Sequence, residues 1–540
     1  KELKVEKYNV QRTVYGRELE GLHYIHPLAE VISGQQALQK DPRTHIVVAE
    51  KFVDITTGTG IVHMSPANGE EDFDTANKRK IPIFNPIDDQ VRFTKEAGIF
   101  NGFFVRDTDQ KVSELLDSKG ALLKLGKITH QYPTCWRSHH KVVWLARREY
   151  FYWVNKLGDL AVEAASKVEY FYEPPKNRFI EIVKEKIPWC ISRERIWGAP
   201  LPIWVCTKCN HKEGLFSRKD IIENSIELPD GDKFELHRPW IDRVITKCPK
   251  CGGRSIRESF VLDTWHNSGA SSYAGFKDDE SAELIPASFL TEGIDQTRGW
   301  AYTLLIENVI LKGKPIAPFK SFLFQGHVLD SKGNKMSKSI GNVVDGMTVL
   351  SELSVDALRF YLLWKTSPLE SINYSSEELR TRSFQVLNTL YHIHLYFQQN
   401  SHYDKFNSLT HTLDWVKENK LFTPTYLWIL SKLQTLIQKV TVSYERCRYH
   451  EGLRSIEQFL IENLSQTFIP MTRTIIWDDN PDTKDGRLAI YSVLHEALKT
   501  VNVLLHPASP FLTEYLHQKG MSKDKSSIML ENWPKTKEEL

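Results

Sequence analysis

Apolar residues recur at two different periods along this chain, and the change of period divides it. Beyond residue 380 they fall at helical spacing. Leu430, Leu433, Ile437 and Val440 share one face, and Leu453, Ile456, Leu460 and Leu464 the next, so a helix bundle is predicted there. Pro507 and Pro510 in "LLHPASPF" break a later helix, and "ENWPKTKEEL" closes the chain with polar residues that read as a junction. From about residue 45 to 125, β-rich stretches such as "HIVVAEKFVDI" and "GIVHMSP" alternate with Gly-rich turns and predict a compact α/β or mostly-β module. Residues 285–330 differ again: "ASFLTEG" reads as a strand, "TRGWAYTLLIENVILKG" as a helix and "FKSFLFQGHVLD" as a strand. That is a βαβ unit, apolar enough for a buried parallel sheet, whose ligand position is the crevice beyond the carboxyl ends of the strands.

Composition adds bounds rather than a function. The chain has 540 residues, 41% hydrophobic and 26% charged, enough for about three or four domains. Lys+Arg is 70 and Asp+Glu 68, so bulk charge does not announce a nucleic-acid binder, and any polyanion site is local. No apolar run approaches the roughly 18 residues of a membrane span. The start "KELKVEKYNV" has neither a signal core nor an initiator Met, which reads as a chain cut from something longer and leaves an upstream targeting peptide open. Seven cysteines, thinly spread, fit a reducing compartment, with the cytoplasm as the default.

Four of those cysteines form two pairs, Cys206 and Cys209 in "CTKC" and Cys248 and Cys251 in "CPKC". Four soft thiolates close a tetrahedron around Zn²⁺ and leave no open position for water, so the expected role is structural. Cys135, beside His139 and His140, has no such partner set.

At the end of the first strand of the βαβ unit, "TEGIDQTRGW" sets Glu292, Asp295 and Gln296 where a ligand would be met. Carboxylates there accept hydrogen bonds from ribose hydroxyls or pair with an ammonium group. Capping of the following helix by Asp295 or Thr297 is the alternative. After the second strand, "GNKMSKSIGN" carries Lys335 and Lys338 between Gly333 and Gly341. Two mobile ammonium groups suit the charge that builds on a departing pyrophosphate, although the string by itself also reads as a solvated turn.

Together these strings resemble the class I aminoacyl-tRNA synthetases. "KMSKS" at Lys335 to Ser339 is that family's signature loop, and it follows a βαβ unit as the family requires. "WCISRERIWGAPLPIW", "TEGIDQTRGWAYTLL" and "GTGIVHMSPANGEEDF" are similar to the isoleucyl subgroup, in its archaeal or eukaryotic-like branch. The likeness runs along the whole chain.

The resemblance implies ATP, with Mg²⁺, as co-substrate, isoleucine and tRNA(Ile) as partners, and a monomer with no membrane association. Lys335 and Lys338 would be catalytic. Glu292, Gly293, Asp295 and Gln296, with Lys335, Met336, Ser337, Lys338 and Ser339, would bind ATP and the aminoacyl-adenylate. Trp197 and Trp300 would wall the amino-acid pocket, ordinary core packing being the alternative for each. One methylene contributes only about 1–3 kcal/mol to a hydrophobic pocket, too little to separate isoleucine from valine, so a second, hydrolytic site is expected. His63 and Asp72 in "HMSPANGEED" would belong to it, although such a pair in a Gly-rich loop is also commonly structural. Two departures stand out. "WHNSG" puts Asn267 where the family has a carboxylate, and no HxGH string occurs, which reads as a fragment lacking the first half of the nucleotide-binding fold and inactive alone in aminoacylation.

The division that follows is the latter part of an editing insertion (1–165), the second half of a Rossmann catalytic domain (166–345) with a zinc insertion at about 200–256, connecting helices (346–395) and a helical anticodon-binding domain (396–540). Arg446, Arg448 and Arg454 in that last part either meet tRNA phosphates or form a solvated face. The valyl enzyme, or a non-catalytic tRNA-binding or editing protein derived from a synthetase, is the competing assignment.

Overall fold

The computed structural model describes residues 8–54, 59–127, 129–135, 138–276, 281–338, 340–521 and 526–537, in two compact units, residues 1–149 and 150–540.

In the first unit, helix Glu70–Arg79 opens with Glu70, Glu71 and Asp72, acidic residues that suit the positive end of the helix dipole. A second helix is Asp109–Ser118. The strands expected over 45–125 need correction. "HIVVAEKFVDI" and its neighbours run extended but join others only at isolated bridges, among them His23 with Ile46 and Ile87 with Phe93. Pro66, Pro82 and Pro86 lack the N–H a ladder needs, and Val91 (φ 60°) and Gly98 (φ 59°) turn the chain within a few residues.

The second unit contains the βαβ crossover. Strand Ser321–Gln325 lies between Leu290–Gly293 and Glu169–Tyr170, all parallel, with Glu292 opposite Phe324 and Gly293 opposite Gln325. Helix Trp300–Lys312 connects the first two and stops at Gly313 in a left-handed cap (φ 59°). Its Ala301, Leu304, Leu305 and Val309 are buried in one core with Phe319, Phe322 and Phe324, which is why these strands are apolar on both faces.

Residues 203–257 make a five-stranded antiparallel sheet, in the order Lys212–Gly214, Ile203–Cys206, Arg254–Arg257, Ile245–Lys247, Ser225–Glu227. Its core is small: Trp204, Leu215, Ile221, Phe234, Ile241 and Val244.

Beyond residue 380 the chain is helical, with long helices Phe384–Tyr403, Pro424–Glu445 and Lys484–Leu505. Every residue of the two expected apolar faces, from Leu430 to Leu464, is buried in one core. The stretch Pro481–Leu505 is long and apolar enough to cross a membrane, but 83% of that window is buried inside the protein, so it serves as the central helix of the bundle. It ends before Pro507, and Pro510 starts the next helix, Pro510–Leu516.

Candidate functional site

The two central strands of the parallel sheet end level, and the side chains expected to meet a ligand gather there. Glu292 and Asp295 are exposed, while Gly293 and Gln296 are half-buried. A Cβ at Gly293 would lie 2.6 Å from Asp295 Oδ1, so only glycine lets Asp295 fold back over the strand end. The cap of the following helix is neither Asp295 nor Thr297. Gln296 Oε1 accepts the Trp300 N–H at 2.8 Å, and Thr297 donates to the Ile294 carbonyl. The Asp295 carboxylate instead lies 3.8 Å from His327 Nε2 and accepts from Gln296 Nε2 at 3.0 Å. His327 went unnoticed in the sequence, where "GHVLD" registers only as a strand end; the parallel register brings it beside Asp295.

The lysine loop hangs from a second pair of parallel strands, Val328–Leu329 and Ile372–Asn373. Asp330 organises its foot. Its carboxylate accepts from Asn342 Nδ2 at 2.9 Å and from the N–H groups of Asn334 and Lys332 at 2.8 and 2.9 Å, and these bonds hold its pKa down at about 2. Asn342 also takes the Ser337 N–H at 2.8 Å, which closes the loop on itself. Met336 is half-buried against the helical core. Lys335 and Lys338 are exposed and make no ion pair among the described residues, so two ammonium groups stand unneutralised on a braced base. Ser339 lies outside the described residues. Asp330 and Asn342 also went unnoticed, because polar residues spaced twelve apart in a turn carry no distinctive signal.

The two candidate tryptophans find different surroundings. Trp300 is half-buried and its indole N–H donates to the Ser268 carbonyl at 2.9 Å. Trp197 is 73% exposed and stacks on His237, ring centres 5.0 Å apart. A cleft of about 220 Å³ opens beside the crossover helix, lined by Ile182, Ile187, Trp189, Trp265, Arg298 and Tyr302 among others. Behind its Trp265 wall, His266 Nδ1 lies 2.9 Å from Glu307, whose carboxyl pKa is raised by burial against the opposing pull of His266. A Cβ at Gly269 would come within 2.6 Å of Glu307 Oε1, so helix Thr264–Gly269 seats directly on that pair.

The four cysteines converge as their spacing requires. Their sulfurs all lie within 4.8 Å of one another, with Cys206 to Cys251 at 3.4 Å and Cys209 to Cys248 at 3.7 Å. Tetrahedral Zn–S bonds of about 2.3 Å put sulfurs about 3.8 Å apart, so the set fits such an ion. Each pair sits on the same turn. The Asn210 N–H returns to the Cys206 carbonyl and the Gly252 N–H to Cys248, both with left-handed backbone (φ 56° and 67°). The Cys209 N–H and that of Lys208 bring the Cys206 thiol down to about 6, the direction a metal thiolate needs.

In the first unit Asp72 accepts the Ser65 N–H at 2.9 Å, and Gly69 leaves it room, since a Cβ there would lie 2.7 Å from Asp72 Oδ2. His63 is exposed on the segment just before. Ser65 and Asn68 hold each other at 2.9 Å, and Asn68 Nδ2 donates to the Trp144 carbonyl.

Of the three bundle arginines, Arg454 donates to the Lys365 carbonyl at 2.7 Å and Arg448 lies 3.6 Å from Glu451, which ties two of them to their own fold.

Residues 2–375 match the family described as tRNA synthetases class I (I, L, M and V), and residues 427–540 match the anticodon-binding domain of tRNA ligase. The chain is 34% identical over 550 residues to the isoleucine–tRNA ligase of Methanopyrus kandleri, covering 98% of this chain and 50% of that one. It is 35% identical over 539 residues to the isoleucine–tRNA ligase of Methanothermobacter thermautotrophicus, with the same coverage of 98% and 50%. It therefore spans about half the length of the curated relatives it matches. Among solved structures, a Mycobacterium tuberculosis methionyl-tRNA synthetase in complex with methionyl-adenylate shares the fold, with TM-score 0.51 and 17% identity over 75% of this chain and 69% of that one.

Proposed function

This chain belongs to the class I tRNA synthetases (I, L, M and V), and on that premise we propose for it the activation of isoleucine with ATP and its transfer to tRNA(Ile), with hydrolysis of valyl-tRNA(Ile) as a correcting reaction. The observation that carries the reading is the pair of unpaired ammonium groups, Lys335 and Lys338, on a loop whose foot is braced at the carboxyl end of a parallel sheet. Isoleucine is favoured by relatives at 34% and 35% identity over 98% of the chain.

In this reading a carboxylate oxygen of isoleucine attacks the α-phosphorus of ATP, the bond to pyrophosphate breaks, and a ribose hydroxyl of the tRNA end then displaces AMP. Lys335 and Lys338 offset the charge that grows on the departing pyrophosphate. A loop able to close over the phosphates favours that charge over the ground state, which a fixed cation would not. Glu292 and Asp295, with Gly293 and Gln296, receive the ammonium group and ribose of the adenylate, while Met336, Ser337 and Ser339 carry the loop's backbone to the phosphates. Trp197 and Trp300 wall the side-chain pocket. Mg²⁺ accompanies ATP. Zn²⁺ on Cys206, Cys209, Cys248 and Cys251 supplies a closed cross-link for a sheet with a small core. His63 and Asp72 belong to the hydrolytic site. The domain boundaries are those given above, and the setting is the cytoplasm with a monomeric protein.

The test is amino-acid-dependent pyrophosphate exchange by the full-length protein. Isoleucine should support it with a kcat/KM roughly 100-fold above that of valine, the discrimination one methylene allows. Equal or better exchange with valine would assign the protein to the valyl subgroup.

A further inference from the structure

His63 is not the only imidazole in its neighbourhood. A short antiparallel ribbon, tied by Gly21 N–H to the Val47 carbonyl, Val47 N–H to Leu22 and Tyr24 N–H to His45, each at 2.9 Å, carries two more. The rings of His26 and His45 have centres 5.4 Å apart, and His63 lies near enough to His26 to act on its charge. The ribbon is not an undistorted one. His45 takes a left-handed backbone (φ 51°), unfavourable for a residue with a side chain, and its Nδ1 is buried with no hydrogen-bond partner.

The protonation form of His26 follows from its contacts. The Leu28 N–H donates to His26 Nδ1 at 3.2 Å, so that nitrogen carries a lone pair and the neutral ring carries its proton on Nε2. Burial, then the neighbouring charges of His45 and His63, lower the His26 pKa to about 4, which keeps the ring neutral at physiological pH. Nε2 has no hydrogen-bond acceptor among the described residues, and no carboxylate contributes to the ring's electrostatic environment. His26 is therefore a neutral, oriented N–H donor with nothing to donate to.

We propose that His26 is a further catalytic residue of the hydrolytic site, its Nε2–H donating to the carbonyl oxygen of the misattached aminoacyl ester. This rests on the assignment of His63 and Asp72 to that site. In the step, a water oxygen bonds to the ester carbonyl carbon and loses a proton to solvent, and the carbonyl oxygen becomes an oxyanion that His26 stabilises. The intermediate collapses as the bond to the ribose oxygen breaks and that oxygen takes a proton, giving free valine and free tRNA. A neutral imidazole suits this role because it donates without needing to be recharged between turnovers. Donors of this kind contribute about 10²–10³-fold to rate. His45, packed beside it, is a positioning residue.

Single-turnover hydrolysis of valyl-tRNA(Ile) by the full-length protein tests this, with isoleucine charging of the same preparations as the measure of intact folding. His26→Phe, which keeps a ring and removes the donor, should slow the hydrolytic step about 10²-fold with little change in affinity for the mischarged tRNA, whereas His26→Gln should recover most of the rate. If His26→Phe loses charging as well, His26→Ala takes its place. Hydrolysis by the donor-free variant within threefold of wild type, while His63→Ala and Asp72→Ala abolish it, overturns the role of His26 alone. Hydrolysis unchanged in all three overturns the hydrolytic assignment and this proposal with it.

Discussion

The cysteine knuckle and the lysine loop are both turns built on left-handed residues, yet they are finished differently. In the knuckle every functional atom faces another from the same chain, with four sulfurs mutually within 4.8 Å. In the loop, Asp330 and Asn342 satisfy the backbone, while Lys335 and Lys338 are left without a counter-charge among the described residues. A binding set that closes on itself can be read as structural. One that satisfies its frame and leaves its charges open is made for something that arrives from outside.

The strongest way to break this contrast is at the knuckle. Cys248→Ser, or chelation of the metal, should remove bound zinc and unfold residues 203–257, because apparent zinc-binding free energies of about 10–16 kcal/mol exceed what a small core supplies. Metal analysis and limited proteolysis of the sheet check this; a Cys248→Ser protein that retains one equivalent of metal would refute it. At the loop the expectation reverses. Lys338→Ala should lower isoleucine-dependent exchange about 10²–10³-fold with no change in thermal unfolding, since an exposed, unpaired ammonium group contributes nothing to stability.

A smaller effect separates the frame from the charges. The Asp330 carboxyl is held at about 2, below the usual 3.8, by Asn342 and the Asn334 N–H. A lowered carboxyl pKa means the loop's brace is fully present above pH 4 and is lost as pH falls from about 4 to 2. Amide exchange at Ser337 should accelerate over that window, and Asp330→Asn should flatten the response. The smallest effect is expected in the bundle, where Arg446→Ala should weaken tRNA binding and reduce its salt dependence by about one counterion, and Arg454→Ala should act mainly on stability through the Lys365 carbonyl.

What could be read from the sequence follows the same division. The knuckle was legible because its ligands lie in the chain at fixed spacing, and the helical faces from Leu430 to Leu464 because burial imposes a period. The βαβ unit was legible because strands covered on both faces are continuously apolar. The extended segments of residues 45–125 misled, since β-branched runs resemble strands whether or not a neighbour lies in register, and Pro66, Pro82 and Pro86 denied them one. His327 and the Asp330–Asn342 brace were hidden because they act across strands or around a turn, where linear spacing says little. His26 was hidden for the same reason: its partners His45 and His63 are distant in sequence and adjacent only through the ribbon.

Met336 has one more consequence. It lies between the two lysines and is seated on the helical core formed by residues such as Phe360 and Leu390. The loop is thus pivoted on the bundle: whatever deforms those helices tilts the residue at the pivot and displaces the ammonium groups on either side. The bundle's grip on a large ligand and the readiness of the lysines are two ends of one lever, with a flexible thioether as its bearing.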